Sequence, residues 1–237
     1  MTYVDGFLVA VPTANQERYR QHAADALPLF REFGATRMVE CWGVDVPDGK
    51  LTDMKRAVQA APDETVVFSW IEYPDRQTRD HAGQKIMTDP RMKEVGAGMP
   101  FDGKRMIYGG FDSVFDGGGA SGATFIDGFV APCPGDGREA FTRGTQLLDR
   151  FFLDHGALRV VDAWGDDVSS GKVTDFRRAV AADEGEAVVF GWIEWPDKPT
   201  RDAAFAAMGD DPAMREAQPG FDMKRAIFGG FSPIVDG

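Results

Sequence analysis

The sequence has little of what disulfide-bonded or membrane-spanning proteins need. Only two of its 237 residues are cysteines. Two cysteines cannot build a disulfide framework, which points to a reducing, cytoplasmic setting. No apolar run approaches the roughly 18 residues of a membrane span, and the first residues, MTYVDGF, place no basic segment ahead of an apolar stretch. We therefore expect a soluble protein without a membrane partner.

Basic residues are also scarce, 26 against 38 acidic ones, so the formal charge is −12. Affinity for nucleic acid comes from basic side chains that neutralise phosphates, and we expect no nucleic-acid partner. Charged residues make up 27% of the chain and aromatic residues 11%. These proportions are ordinary for a folded globular protein and argue against disorder.

The two halves of the chain resemble each other. Residues 3–95 align without gaps to 125–217, and 101–116 align to 221–236, with nearly half of the aligned residues identical. A period of about 120 residues indicates a duplicated domain, because solenoid repeats have units of about 20–50 residues. We predict three segments, which are a first repeat at 1–117, a Gly/Ser linker at 118–122 and a second repeat at 123–237.

The pattern within one repeat predicts the order β-α-β-β-α-β. A stripe of apolar residues at spacings of three and four predicts a helix over 14–33, and a second helix is predicted over 76–88. Alternating, β-branched runs predict four strands, at 3–11, 37–46, 64–73 and 104–115. This order is the ferredoxin-like unit, whose antiparallel sheet carries both helices on one face. The other face needs cover, so we predict that the two repeats pack sheet to sheet.

Four stretches of the sequence resemble motifs of the YbaA-like family of uncharacterised bacterial proteins: DGF, ECWGVDVPDGKLT, FSWIEYP and MPFDGKRMIYGGF. The resemblance covers nearly the whole chain, once per repeat. That family belongs to the dimeric α+β barrel superfamily. The resemblance therefore implies an α+β fold in which two ferredoxin-like repeats form an intrachain dimeric α+β barrel. The family has no established activity, so no catalytic residue is transferred from it.

Histidine and cysteine, the usual ligands of haem and zinc, do not recur between the repeats. Each of the three histidines and both cysteines align with a residue of another type in the other copy. Neither cysteine has a CxxC neighbour, and no histidine has a partner at ligand spacing. We predict that the protein holds no metal and no cofactor.

The second and third strands of each repeat place carboxylates beside tryptophans. Because side chains alternate along a strand, Glu40 shares a face with Trp42, and Trp70 shares a face with Glu72. The opposite faces carry small and β-branched residues that suit close helix packing. We therefore predict that the Trp/Glu faces line the barrel interior and form a ligand pocket in each repeat. The equivalent residues of the second repeat are Asp162, Trp164, Trp192 and Glu194.

These acidic residues have two interpretations. Burial in a cavity would raise their pKa and suit them to general acid–base chemistry. The alternative is structural: the tryptophans fill the interior and the carboxylates pair with arginines that recur in both repeats, namely Arg37, Arg56, Arg79 or Arg105. A pocket that binds a ligand without catalysis lies between the two.

The loop KLTDMKRAV at 50–58 returns as KVTDFRRAV at 172–180 and places Arg56 and Arg178 at equivalent positions. An arginine at the mouth of a cavity could bind an anionic ligand. A salt bridge that orders the loop is the alternative interpretation.

Two functions are consistent with these features. The first is a small-molecule-binding barrel, for which cofactor-independent catalysis is one option. The second is a non-catalytic binding or regulatory module that acts through its acidic surface. A deep cavity with an unpaired carboxylate favours the first, and a filled interior with every carboxylate paired to arginine favours the second.

Overall fold

A computed structural model describes residues 2–119 and 122–237, and the strands among these residues form one closed antiparallel barrel. The strands are β1 (Tyr3–Pro12), β2 (Arg37–Asp45), β3 (Glu64–Tyr73), β4 (Ile107–Gly118), β5 (Phe125–Pro134), β6 (Arg159–Asp167), β7 (Glu186–Trp195) and β8 (Ile227–Asp236). The helices are α1 (Gln16–Glu32), α2 (Met54–Ala57), α3 (Arg76–Thr88), α4 (Pro90–Ala97), α5 (Arg138–Asp154), α6 (Phe176–Ala179), α7 (Lys198–Asp210) and α8 (Pro212–Glu216).

Each repeat contributes half of the barrel. The first repeat has the strand order β4-β1-β3-β2, and the second has the equivalent order β8-β5-β7-β6. The halves join where β2 pairs with β8 and β4 pairs with β6, so each repeat satisfies the strand edges of the other. The predicted α+β barrel of two ferredoxin-like repeats is confirmed. The predicted linker at 118–122 includes residues 120 and 121, which lie outside the described residues.

Aromatic side chains from the two repeats fill the barrel. Phe68 stacks on Phe190 with ring centroids 4.6 Å apart, and Trp70 stacks on Trp192 at 4.3 Å. The DGF motif of β1 belongs to this packing, because a Cβ atom at Gly6 would lie 2.8 Å from the ring of Phe190. Only glycine leaves room for that ring.

Helices α1 and α5 cover the outer face of the barrel and bury aromatic and aliphatic residues against it. Tyr19 and Phe33 are buried on the first-repeat side, and Phe141 and Phe152 on the second. Among the residues that the structure describes, no helix combines the length and the apolar character that crossing a membrane requires.

Candidate functional site

The interior tryptophans and glutamates are buried and bonded to each other. Trp70 and Trp192 have no exposed surface, and the Trp70 indole donates to Glu72 over 3.0 Å. The Trp192 indole donates to Glu194 over 3.1 Å in the same way. These four predicted site residues therefore lie inside the barrel, where the alternation of β3 and β7 placed them.

Each interior glutamate is bound by an arginine from the other repeat. Arg159 donates two hydrogen bonds to Glu72, at 2.7 and 3.0 Å. Arg37 donates two to Glu194, at 2.7 and 2.9 Å. Such bidentate pairs are strong and geometrically specific. With its aromatic packing and its paired carboxylates, the barrel interior has the features of a structural core.

The predicted interior position was wrong for the candidates on the second strand of each repeat, which are Glu40, Trp42, Asp162 and Trp164. In the pairing of β2 with β3, Val39 lies opposite Trp70 and therefore points with it into the barrel. Alternation then directs Glu40 and Trp42 outward, under the helices. The small residues of β2 face the interior because the large rings of β3 occupy it.

The two loop arginines are half exposed and pair with nearby aspartates. The Arg56 guanidinium lies 3.2 Å from Asp53, and that of Arg178 lies 3.5 Å from Asp175. Asp53 also accepts the backbone N–H of Arg56 at 2.8 Å, which caps helix α2. These contacts favour the interpretation that the loop is ordered by local ion pairs.

A cavity of about 600 Å³ lies on the outer face of the second repeat, between its sheet and helices α5, α7 and α8. This volume is typical of small-molecule sites. Met223 and Phe228 line it and are 55% and 40% exposed, so the cavity opens to solvent. Its wall is largely apolar and contains five aromatic rings, those of Phe129, Phe152, Phe205, Phe221 and Phe228.

Three buried polar residues line this cavity, and we name them the carboxyl cluster: Thr145 and Asp149 of α5 and Asp162 of β6. They are 4%, 4% and 2% exposed. Beyond contacts within the cluster itself, Thr145 Oγ1 and the Oδ2 atoms of both aspartates have no hydrogen-bond partner among the described residues. Buried polar atoms without partners are rare and costly, and they often mark functional positions.

Burial raises the pKa of both aspartates in the carboxyl cluster. For Asp149 the neighbouring negative charge of Asp162 raises the pKa further. Two carboxyl groups in contact cannot both ionise readily in a medium of low polarity. The pair therefore keeps a proton at a pH where isolated aspartates have lost theirs.

In the first repeat, the equivalent carboxylate has a hydrogen-bond donor from the same repeat. The Tyr19 hydroxyl donates to Glu40, the counterpart of Asp162, over 2.7 Å. Burial raises the pKa of Glu40 to about 7, although this hydrogen bond opposes the shift. The positions of Thr145 and Asp149 are occupied by Ala23 and Leu27 in the first repeat, and a phenylalanine replaces the tyrosine in the second.

The other charged groups around the cavity are partly neutralised. Arg201 donates to Asp127 from Nε and Nη2, each at 2.9 Å, and the Trp195 indole donates to the same aspartate at 2.9 Å. Asp45 of β2 lies at the cavity as well. In residues 2–119 and 122–237 no group of three or more His, Cys, Asp or Glu side chains is arranged to hold a metal ion.

The alternation of the second strand predicted Asp162 as a site residue, but in the barrel interior, and no pattern considered above pointed to Asp149 or Thr145. A signal for both was present. The apolar stripe of the first helix carries Ala23 and Leu27, and the aligned positions of the second repeat replace them with polar residues on the buried face. Polar residues are rare on the buried face of a helix, so these replacements indicate that Thr145 and Asp149 are candidate site residues.

Comparison with known proteins identifies a family and a close relative. The family described as "Protein of unknown function (DUF1428)" matches residues 2–103 and 124–224, once per repeat. "Uncharacterized protein YbaA" of Escherichia coli strain K12 is 66% identical over 116 residues, which are 49% of this chain and 99% of that protein. YbaA of Shigella flexneri matches to the same extent. The resemblance seen in the sequence is confirmed, and the chain carries the DUF1428 unit twice.

Solved structures share the fold at low sequence identity. The structure described as "Putative monooxygenase" from Fusobacterium nucleatum superposes with a TM-score of 0.63 at 11% identity, over 99% of this chain and 93% of that one. An "anthrone oxidase-like protein" superposes with a TM-score of 0.58 at 11% identity, over 100% and 92%. At this identity the likeness shows the α+β barrel fold alone.

Proposed function

Because the chain belongs to the DUF1428 family, whose function is unknown, we propose a function from its own geometry. The second repeat binds a small, largely apolar molecule in the cavity under helices α5, α7 and α8. The Asp149–Asp162 pair exchanges a proton with that molecule, and the chain acts as a cofactor-independent enzyme. We also propose a cytoplasmic location, supported by the scarcity of cysteine.

The observation that carries this proposal is the group of buried oxygens without partners at the cavity wall. Thr145, Asp149 and Asp162 would each cost stability in an empty core, because an unpaired buried polar group forfeits its bonds to water. Ionisable groups with pKa values shifted by burial and by a like charge cluster at functional sites. A ligand in the cavity supplies the missing hydrogen bonds.

The chemistry follows from the shared proton. Of two coupled carboxyl groups, one is protonated and can donate while the other is ionised and can accept. The two catalytic aspartates of the aspartic proteases share a proton in this way. In this protein, a carbon or heteroatom acid next to the pair would lose its proton to Asp149 or Asp162, and the product would receive one from the same pair.

Binding can be tested with Nile red, a neutral apolar dye whose fluorescence rises in apolar sites. We expect the wild-type protein to bind it, and Met208→Trp, which fills the cavity, to weaken binding at least about tenfold. Ile86→Trp is the matched control, because Ile86 is the first-repeat equivalent of Met208. Equal loss in both variants would contradict the proposed location.

Proton exchange can be tested with 2-acetonaphthone in D₂O, by following deuterium uptake at its methyl group by NMR. We expect the wild-type protein to accelerate uptake over buffer, and Asp149→Asn and Asp162→Asn each to abolish the acceleration. Glu40→Gln, the first-repeat equivalent of the second variant, should retain it.

The second candidate function is a non-catalytic binding or regulatory module that acts through its acidic surface. The paired carboxylates of the barrel interior and the net charge of −12 favour it. Binding of Nile red without any acceleration of deuterium uptake would support this candidate.

A further inference from the structure

The cavity wall carries more acidic than basic side chains, and this excess of negative charge indicates the class of its ligand. Its lining includes four aspartates, Asp45, Asp127, Asp149 and Asp162, and one arginine, Arg201. Arg201 is engaged by Asp127 through hydrogen bonds of 2.9 Å. No basic residue among the described lining residues is therefore left for the Asp149–Asp162 pair.

We propose that the ligand is an organic cation, with a primary ammonium group on an aromatic or aliphatic body, and that its ammonium group lies against the carboxyl cluster. This inference rests on the binding site proposed above and adds the class of ligand. A buried carboxylate without a cationic partner is costly. A cationic ligand compensates the charge that the protein itself leaves uncompensated.

The hydrogen-bonding capacity of the cluster matches an ammonium group. The polar side chains of the cluster contact only each other, and a carboxylate has about four acceptor sites, so Asp149 and Asp162 keep acceptor capacity that no basic group of the protein uses. An ammonium group has three N–H donors and no acceptor. A neutral alcohol has one donor and would leave acceptors unpaired, and a carboxylate ligand would be repelled by the aspartates.

The aromatic wall also suits a cation. Aromatic rings attract cations through the negative potential of their faces. The protein already uses this wall in that way, because the Arg201 guanidinium lies 4.2 Å from the centroid of the Phe205 ring. The remaining lining rings provide apolar surface for the body of the ligand.

Cation binding should be linked to proton release. The ammonium group competes with the proton that the Asp149–Asp162 pair shares, and the displaced proton passes to the buffer. The other acidic lining groups are Asp45, which is exposed, and Asp127, which is held by Arg201. We therefore expect affinity for the cation to rise with pH, by at most about tenfold per pH unit for one proton displaced.

The test applies three naphthalene probes of similar shape to the full chain. They are the cation 2-naphthylmethylamine, the neutral alcohol 2-naphthalenemethanol and the anion of 2-naphthaleneacetic acid. Titration calorimetry at pH 7.5 should show the amine binding at least about tenfold more tightly than the alcohol, with the acid weakest. Heats measured in buffers of different ionisation enthalpy should show proton release for the amine alone. Asp149→Asn and Asp162→Asn should remove the preference for the amine, and Glu40→Gln should keep it.

The outcomes separate the two proposals. If amine and alcohol bind equally, or the acid binds best, the cation inference is wrong and the cavity site stands. If none of the three probes binds at millimolar concentration, both the site and the inference are overturned. Because each variant is assayed with the alcohol as well, an unfolded variant is recognised by its loss of all binding.

Discussion

Replacing Asp149 by leucine should stabilise the protein while it removes proton exchange and the preference of the cavity for a cation. Leucine is the residue that the first repeat carries at the equivalent position, Leu27, so the substitution is compatible with this helix and sheet. It exchanges a 4%-exposed carboxyl group, whose Oδ2 has no hydrogen-bond partner, for an apolar side chain of similar size. A gain in stability with a loss of function is typical of residues retained for activity.

The size of this gain in stability follows from the desolvation free energy of the buried carboxyl group. Removing a buried polar group without a partner recovers about 1–3 kcal/mol of desolvation free energy. The leucine also extends the apolar wall of the cavity, to which Phe152 of the same helix contributes, and this adds to the gain. We expect the free energy of unfolding at pH 4, where the carboxyl group is protonated, to rise by about 1–3 kcal/mol.

The gain should depend on pH, with a defined sign. The pKa of Asp149 is raised in the folded state, so the folded protein holds a proton that the unfolded chain has lost. The contribution of this group to stability is complete below its unfolded pKa of about 3.9 and falls as pH rises towards the folded pKa, by up to about 1.4 kcal/mol per pH unit. The advantage of Asp149→Leu should therefore be smallest near pH 4 and grow towards neutral pH.

Urea unfolding followed by tryptophan fluorescence at pH 4, 5.5 and 7 measures this advantage as a shift of the midpoint at constant slope. Asp149→Asn is the control, because the amide cannot ionise but still offers hydrogen bonds to Asp162. It should flatten the pH dependence with less gain in stability than leucine. A leucine variant less stable than wild type at pH 7, or a difference independent of pH, would refute this account of the carboxyl cluster.

Two further predictions concern the barrel. Glu194→Gln should destabilise the protein by about 1–3 kcal/mol at pH 7 in urea unfolding, because it removes the buried carboxylate that accepts two hydrogen bonds from Arg37 and leaves only the more exposed Asp236 to pair with that arginine; a neutral effect would show that the pair is dispensable. Gly6→Ala should cost about 1–3 kcal/mol of overpacking against Phe190. Gly83→Ala in α3 is the matched change in open space and should instead raise stability by about 0.5–1 kcal/mol, as thermal unfolding would reveal. If both alanine variants behaved alike, the close approach at Gly6 would not be the cause.

The repeat, the order of elements and the packing of one sheet on the other were predictable from the sequence, and the resemblance to the YbaA-like family implied the barrel. Periods of two and of three to four residues distinguish strands from helices locally, and the duplication supplies the partner that covers each sheet. For β3, one alternation also predicted that Trp70 and Glu72 share the interior face, and the structure places them there.

The face of β2 could not be read from alternation, because both faces of this strand are covered, one by the barrel interior and one by α1. Neither face is polar and exposed, so the local pattern does not distinguish inside from outside. The pairing register decides it, by placing Val39 beside Trp70 and Glu40 beside Ser69. Register depends on contacts between distant segments and has no local signal.

The partners of the acidic residues were likewise decided by the tertiary structure. The sequence indicated that arginine would pair with Glu72, and the arginine that does so is Arg159 of the other repeat. The carboxyl cluster arises because Thr145 and Asp149 on one helix meet Asp162 on a strand at the cavity wall. By itself the sequence determined which residues are present and which elements they form. Which charges are paired and which remain available was decided only when the two repeats closed into one barrel and α5 packed on its outer face. The pairing of charges depends on distances between segments that are far apart in the chain, and the sequence does not give those distances.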